Sequence, residues 1–173
     1  MTQAIPLWQA MVSLFGVIVV GLIGHMVSVA KLKTELDQKN FENSMRVLET
    51  HDAAYRTYTS AMEAYVLAPE PDYEDFMKVV SSGDVYFNQL NLICSTMISG
   101  KVDHNIRDKI WMPKIKVAFE KSLPMHYDTL RNAAKKRGFP YKGELRRRDH
   151  ESIFAVAEMF SASDAWQRPH EAN

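Results

Sequence analysis

The first thirty residues contain no Asp, Glu, Lys or Arg, and that absence limits what the chain can become more than any other feature. From Ile5 to Ala30 it reads IPLWQAMVSLFGVIVVGLIGHMVSVA. As a helix these residues extend roughly 39 Å at about 1.5 Å each, enough to cross the roughly 30 Å hydrocarbon core of a bilayer. In hydrocarbon a single segment satisfies its own backbone polar groups only as a helix, so residues 1–30 are expected to form a transmembrane anchor. A buried core helix in so small a protein would show a polar face, and this run has none. A cleaved signal peptide is the stronger rival, because Ser28 and Ala30 suit a cleavage site. No basic residue precedes the run, however, and it exceeds the usual apolar stretch of about 7 to 15 residues.

Lys31 and Lys33 follow the run directly. The positive-inside rule then predicts a single-pass protein of the inner (cytoplasmic) membrane with its C-terminal domain in the cytoplasm, and Trp8 as an aromatic anchor at the opposite interface. Ala10, Ser13, Gly21, Gly24 and Ser28 form a stripe of small residues, which lets helix backbones approach closely in lipid. Gln9, Ser13 and His25 add polar groups that favour protein or water over acyl chains. Gln9, Ser13, Gly21, Gly24, His25 and Ser28 are therefore the expected helix-contact residues of a homo-oligomer. The expected partners are the lipid bilayer and other copies of the chain.

Beyond residue 30 the apolar residues Leu32, Leu36, Phe41, Met45, Leu48, Tyr55, Tyr58, Met62, Tyr65 and Val66 recur mostly at helical steps. Pro69 and Pro71 end that helix. Asp72 is placed to cap a second one, which Gly83 bends and Gly100 stops. Asp103 caps a third, with Ile106, Ile110, Trp111, Ile115 and Phe119 on one face and a kink at Pro113. A helix from about Pro124 to Arg137 ends at Gly138, GFPYKG is a loop, and Asp149 is expected to cap a last helix through Phe160. No strand is persuasive. The fold class is thus all-α: an N-terminal transmembrane helix continuing into a cytoplasmic helical bundle over 31–160, then a flexible tail, 161–173.

The net charge is zero, with 21 basic and 21 acidic side chains, but the signs are segregated. Residues 31–100 hold 6 basic and 11 acidic groups, whereas residues 101–150 hold 14 and 6. Lys135, Lys136, Arg137, Lys142, Arg146, Arg147 and Arg148 crowd into a basic block around Phe139 and Tyr141. Such a block suits RNA phosphates with bases stacked on the aromatics, anionic headgroups, or the acidic part of a neighbouring subunit. A solvated helix face is the plain alternative.

No catalytic constellation stands out. There is no HExxH, no cysteine cluster, no GxSxG and no phosphate-cradling glycine loop, so neither a metal site nor a cofactor is expected. The single Cys94 lies on an apolar face and reads as a buried structural thiol. HEPN-type ribonucleases use an Arg and a His with four to six residues between them. Arg46 and His51 have that spacing, though a chain with this many Arg and His offers one such match by chance. Arg146 and His150 fall one residue short.

The anchor, the long helix that follows it, the aromatic-rich VYFNQLNLICSTMISG, the GKVD turn and the helix bearing Trp111 together resemble small bacterial membrane-anchored all-helical proteins of undefined function. The layout also resembles the membrane accessory proteins of type VI-B CRISPR loci, with Arg146 and His150 at the degenerate HEPN-like pair. That resemblance implies a pore-forming homo-oligomer in antiphage defence, with Gln9, Ser13, Gly21, Gly24, His25 and Ser28 as pore or helix-contact residues, His25 offering proton-linked control of a gate, and RNA or an RNA-guided effector as a partner. The short spacing of the pair argues against catalysis. A membrane-tethered HEPN-like ribonuclease and a non-conducting scaffold that recruits its partner through the basic block are the alternatives.

Overall fold

The computed structural model describes the backbone of residues 7–167 and, within it, the side chains of 22, 24–164, 166 and 167. Among the described residues every regular element is helical, as the apolar periodicity predicts. Helix α1 spans Leu7–Leu67 and α2 spans Tyr73–Ile98. A third helical stretch, α3, runs through His104–Ile106, Arg107–Trp111, Met112–Val117, Ala118–Ser122 and Leu123–Arg137. A 3-10 turn at Arg147–His150 leads into α4, Glu151–Phe160, and the short α5 is Asp164–Gln167. Contacts divide the chain into two units, residues 1–39 and 40–173.

In the first unit the described side chains are exposed, including Leu22, Met26, Val27, Val29, Leu32 and Leu36. Ser28 Oγ donates to Gly24 O at 2.8 Å and Thr34 Oγ1 to Ala30 O at 3.0 Å. Gln9, Ser13 and Gly21 fall outside the described side chains, while Gly24, His25 and Ser28 are exposed. Among the described residues no helix is long and apolar enough to cross a membrane. Most of the apolar run 5–30 lies outside the described side chains.

The second unit is built around Trp111, Phe87, Leu90, Ile93, Cys94, Met112, Ile115, Leu123, Ile153 and Val156, all essentially without solvent contact. A smaller cluster gathers Val79, Val80, Leu130 and Ala134 around Phe76. Cys94 belongs to the main core, and burial pushes its thiol up to about 12, so it is the structural thiol the sequence suggests.

Several local signals act as read. The Asp72 side chain accepts from Asp75 N, and Asp103 accepts from Asn105 N and Ile106 N, each satisfying amides that the first helical turn leaves unpaired. Gly138 closes α3 in the left-handed region at φ 71°, where a side chain would be strained. Buried Ser44 on α1 accepts from Asp103 N at 3.0 Å, and Asn43 Nδ2 donates to Lys101 O at 3.2 Å, fastening the turn before α3 to α1.

Other expectations are corrected. Asp149 does not cap α4, because it sits in the 3-10 turn beside Arg148. Asn91 on α2 caps it instead, its Oδ1 accepting from Ser152 N at 3.0 Å and Ile153 N at 3.3 Å. Gly83, whatever its effect on the course of α2, also serves close packing: a Cβ there would lie 2.3 Å from Cε1 of His126. Within the tail read as flexible over 161–173, Asp164–Gln167 form α5 and residues 168–173 lie outside the described residues; Trp166 is buried against Phe119, and its carbonyl accepts from Lys116 Nζ at 2.9 Å.

Two substitutions test this packing. Asn91→Ala removes a cap and is expected to cost about 1 kcal/mol, while Gly83→Ala drives a methyl into His126 and costs on the order of 1–3 kcal/mol. Urea unfolding measures both, and a Gly83→Ala protein as stable as the parent would contradict the close approach.

Candidate functional site

The second unit contains a cleft of about 520 Å³ lined by His51, Asp52, Tyr55, Arg56, Tyr86, Lys114, Val117 and Ser122. Its first wall is α1, where His51, Asp52, Tyr55 and Arg56 share one face at helical spacing. The second is Tyr86 of α2, and the third is the middle of α3. An adjoining lobe of about 370 Å³ shares Tyr55, Tyr86 and Ser122 and adds more apolar lining, including Met62, Val79, Met125 and Leu130.

The shape of the α3 wall follows from two prolines. A proline inside a helix lacks an amide donor and its ring collides with the carbonyl four residues back. Immediately before Pro113 and Pro124 the helix widens by one residue: Met112 N donates to Arg107 O, and Leu123 N to Ala118 O, both five residues back. Such π-turns often mark functional sites. Here they bracket the stretch that turns Met112 and Ile115 into the core and Lys114 and Val117 to the cleft.

At the cleft, His51 Nδ1 lies 2.9 Å from Asp52 Oδ1, and Lys114 Nζ donates to the same oxygen at 3.4 Å. The His51 ring is 3% exposed and packs edge-on against Trp111 at 5.1 Å. Burial holds its pKa below the usual value, against the opposing pull of the Asp52 hydrogen bond. Asp52 is held below the usual carboxylate range by its bond to His51 and by Lys114, which together outweigh its own desolvation. His51 and Asp52 have the composition of an acid–base pair, but Nε2 is sealed from solvent with no partner.

Two further imidazoles are buried. The Tyr58 hydroxyl lies 2.7 Å from His126 Nδ1 and the Tyr127 hydroxyl 3.0 Å from His150 Nε2. Burial pushes both phenols up to about 12, keeping them protonated and able to donate. His126 is pushed down to about 4, first by burial and then by the nearby His150, which burial lowers as well.

Neither Arg–His pair converges. Arg46 and His51 are five positions apart on one helix, about 140° around its axis, and Arg46 Nη2 donates to Asn43 Oδ1 at 3.1 Å. Arg146 is exposed beside Glu144 at 3.8 Å, while His150 turns inward to Tyr127.

The basic block is exposed but largely engaged. Arg147 pairs with Glu158 at 2.7 Å, Arg148 with Asp149 at 3.4 Å, and Arg137 Nη1 donates to Pro71 O at 3.2 Å. Exposed pairs of this kind contribute only about 0–1 kcal/mol. Lys135, Lys136 and Lys142 remain exposed without ion-pair partners among the described residues. Phe139 and Tyr141 are not offered to bases, since both rings pack 5.3 Å from Phe76. Among the described residues no three His, Cys, Asp or Glu side chains gather as a metal site.

Sequence reasoning passed over Tyr55, Arg56, Tyr86, Lys114 and Ser122. For Lys114 and Ser122 the signal is the pair of prolines eleven residues apart inside an otherwise helical pattern, Trp-Met-Pro at 111–113 and Ser-Leu-Pro at 122–124; Tyr55, Arg56 and Tyr86 lie on other helices and carry no comparable local signal.

The buried imidazoles predict a pH dependence. A histidine whose pKa is depressed on folding leaves the unfolded chain binding more protons between its folded value and the usual value near 6.5. For His126 that window runs from about 4 to about 6.5; the stability is complete above it and declines as pH falls through it. His51 and His150 act in the same direction. The urea midpoint should therefore be lower at pH 5.5 than at pH 7.5, with a weaker dependence in His126→Gln, and a midpoint flat across that range would contradict the burial. No family model matches the chain, and no curated protein and no solved structure matches it either.

Proposed function

We propose that the chain is a membrane-anchored helical protein that assembles with copies of itself through its N-terminal helix. The observation that carries this reading is the uncharged run from Ile5 to Ala30, bounded at its C-terminal end by Lys31 and Lys33. It is long enough to span a bilayer and has the basic flank that would hold residues 31–173 on the cytoplasmic side. The exposed side chains of Leu22 at 59%, Met26 at 71% and Val27 at 62% add support, because apolar surface of this kind is usually covered by something outside the chain. Gly24 has nothing within 4 Å of where a Cβ would stand, which leaves a second helix room to approach there.

The resemblance to the type VI-B accessory proteins extends this reading to a pore or membrane-perturbing effector in antiphage defence. Release of ions from loaded liposomes tests that extension apart from self-association.

Cys94 is buried, so an introduced cysteine is the reactive thiol of the protein. Gly24→Cys or Ser28→Cys in membranes should form a disulfide-linked dimer under mild oxidation, while the parent chain does not. Release of the protein by alkaline carbonate would sink the anchor. Retention in the membrane without cross-linking at either position would sink the self-association.

A further inference from the structure

The cleft between α1, α2 and the π-turned part of α3 has unspent binding groups. The Arg56 side chain has no ion-pair or hydrogen-bond partner among the described residues, and the hydroxyls of Tyr55 and Tyr86 have no hydrogen-bond partner there either. Ser122 Oγ reaches Val117 O only at 3.5 Å. The lining holds a single carboxylate, Asp52, and that one is shared by His51 and Lys114. Donors and positive charge are thus in excess, so the complementary ligand brings acceptors and negative charge.

The rest of the cleft says what carries that charge. Tyr55 and Tyr86 stand 5.6 Å apart at an interplanar angle of 53°, and both border the two lobes. Beyond them the second lobe is lined by Met62, Val79, Met125 and Leu130. The cationic end and the apolar end therefore meet at an aromatic waist. Lys114 is held in place by Asp52 at 3.4 Å and by its position over the Trp111 ring at 5.5 Å. The first lobe, about 520 Å³, falls in the roughly 300–1,000 Å³ range of small-molecule sites.

We propose that this cleft binds a small organic anion made of an aromatic ring and an acidic head group. The head group meets Arg56 and Lys114, and the ring lies against Tyr55 and Tyr86 toward the apolar lobe. The two π-turns fix the reach of Lys114 and Ser122 between those ends. All of these residues belong to the second unit, so the site stands whether or not the N-terminal helix self-associates.

Calorimetric titration of the purified full chain with 1-naphthyl phosphate, octyl phosphate and inorganic phosphate tests the proposal. Saturable binding of 1-naphthyl phosphate is expected, at least tenfold tighter than either of the other two. Arg56→Gln removes an exposed side chain with no structural partner and should weaken that binding by tenfold or more, whereas Lys135→Gln in the basic block should leave it unchanged. Absence of saturable binding overturns the site. Equal affinity for octyl phosphate overturns the aromatic assignment, and unchanged affinity in Arg56→Gln overturns the placement of the head group. Carbonate extraction and cross-linking of the chain in membranes report on the membrane reading separately.

Discussion

Pro113 and Pro124 set the course of α3 through the second unit. Each removes a helical hydrogen bond and pushes on the carbonyl four residues back. The chain answers both times with a turn closed five residues back, Met112 to Arg107 and Leu123 to Ala118. The prolines are eleven residues apart, and the α-helical stretch Met112–Val117 lies between the two widenings. Trp111 thereby reaches the centre of the core, while Lys114, just past the first widening, faces the cleft.

How much of this was legible in the sequence depends on the range of the interaction. Asp72, Asp103 and Gly138 act within one helical turn of themselves, so local chemistry suffices to read them. The cap on α4 comes from Asn91, 61 positions before the amide it accepts from, and local sequence offers Asp149 in its place, incorrectly. Phe139 and Tyr141 look like exposed aromatics in a basic loop, yet Phe76 gathers both. The cleft is of the same kind, since its lining comes from three helices whose pairing no periodicity specifies.

The charges show a related division. The basic block is visible as composition, but its arginines find acceptors in Glu144, Asp149, Glu158 and the Pro71 carbonyl. Arg56 and Lys114 are unremarkable in the sequence, lying apart in segments of opposite charge balance. Folding sets them around one cavity together with buried His51. A histidine placed there is held by Asp52, Tyr86 and Trp111, so it stiffens the wall of the cleft.

Trp166 occupies a place in the main core, and Lys116 grips its carbonyl. During synthesis, chain emerges vectorially from the N-terminal end. The helices before it can form as they leave the ribosome, but the face around Phe119 stays open until residue 166 has cleared the exit tunnel. Closure of this core therefore waits for α5 to be translated, and a nascent chain halted before Trp166 would present the open face around Phe119 to chaperones.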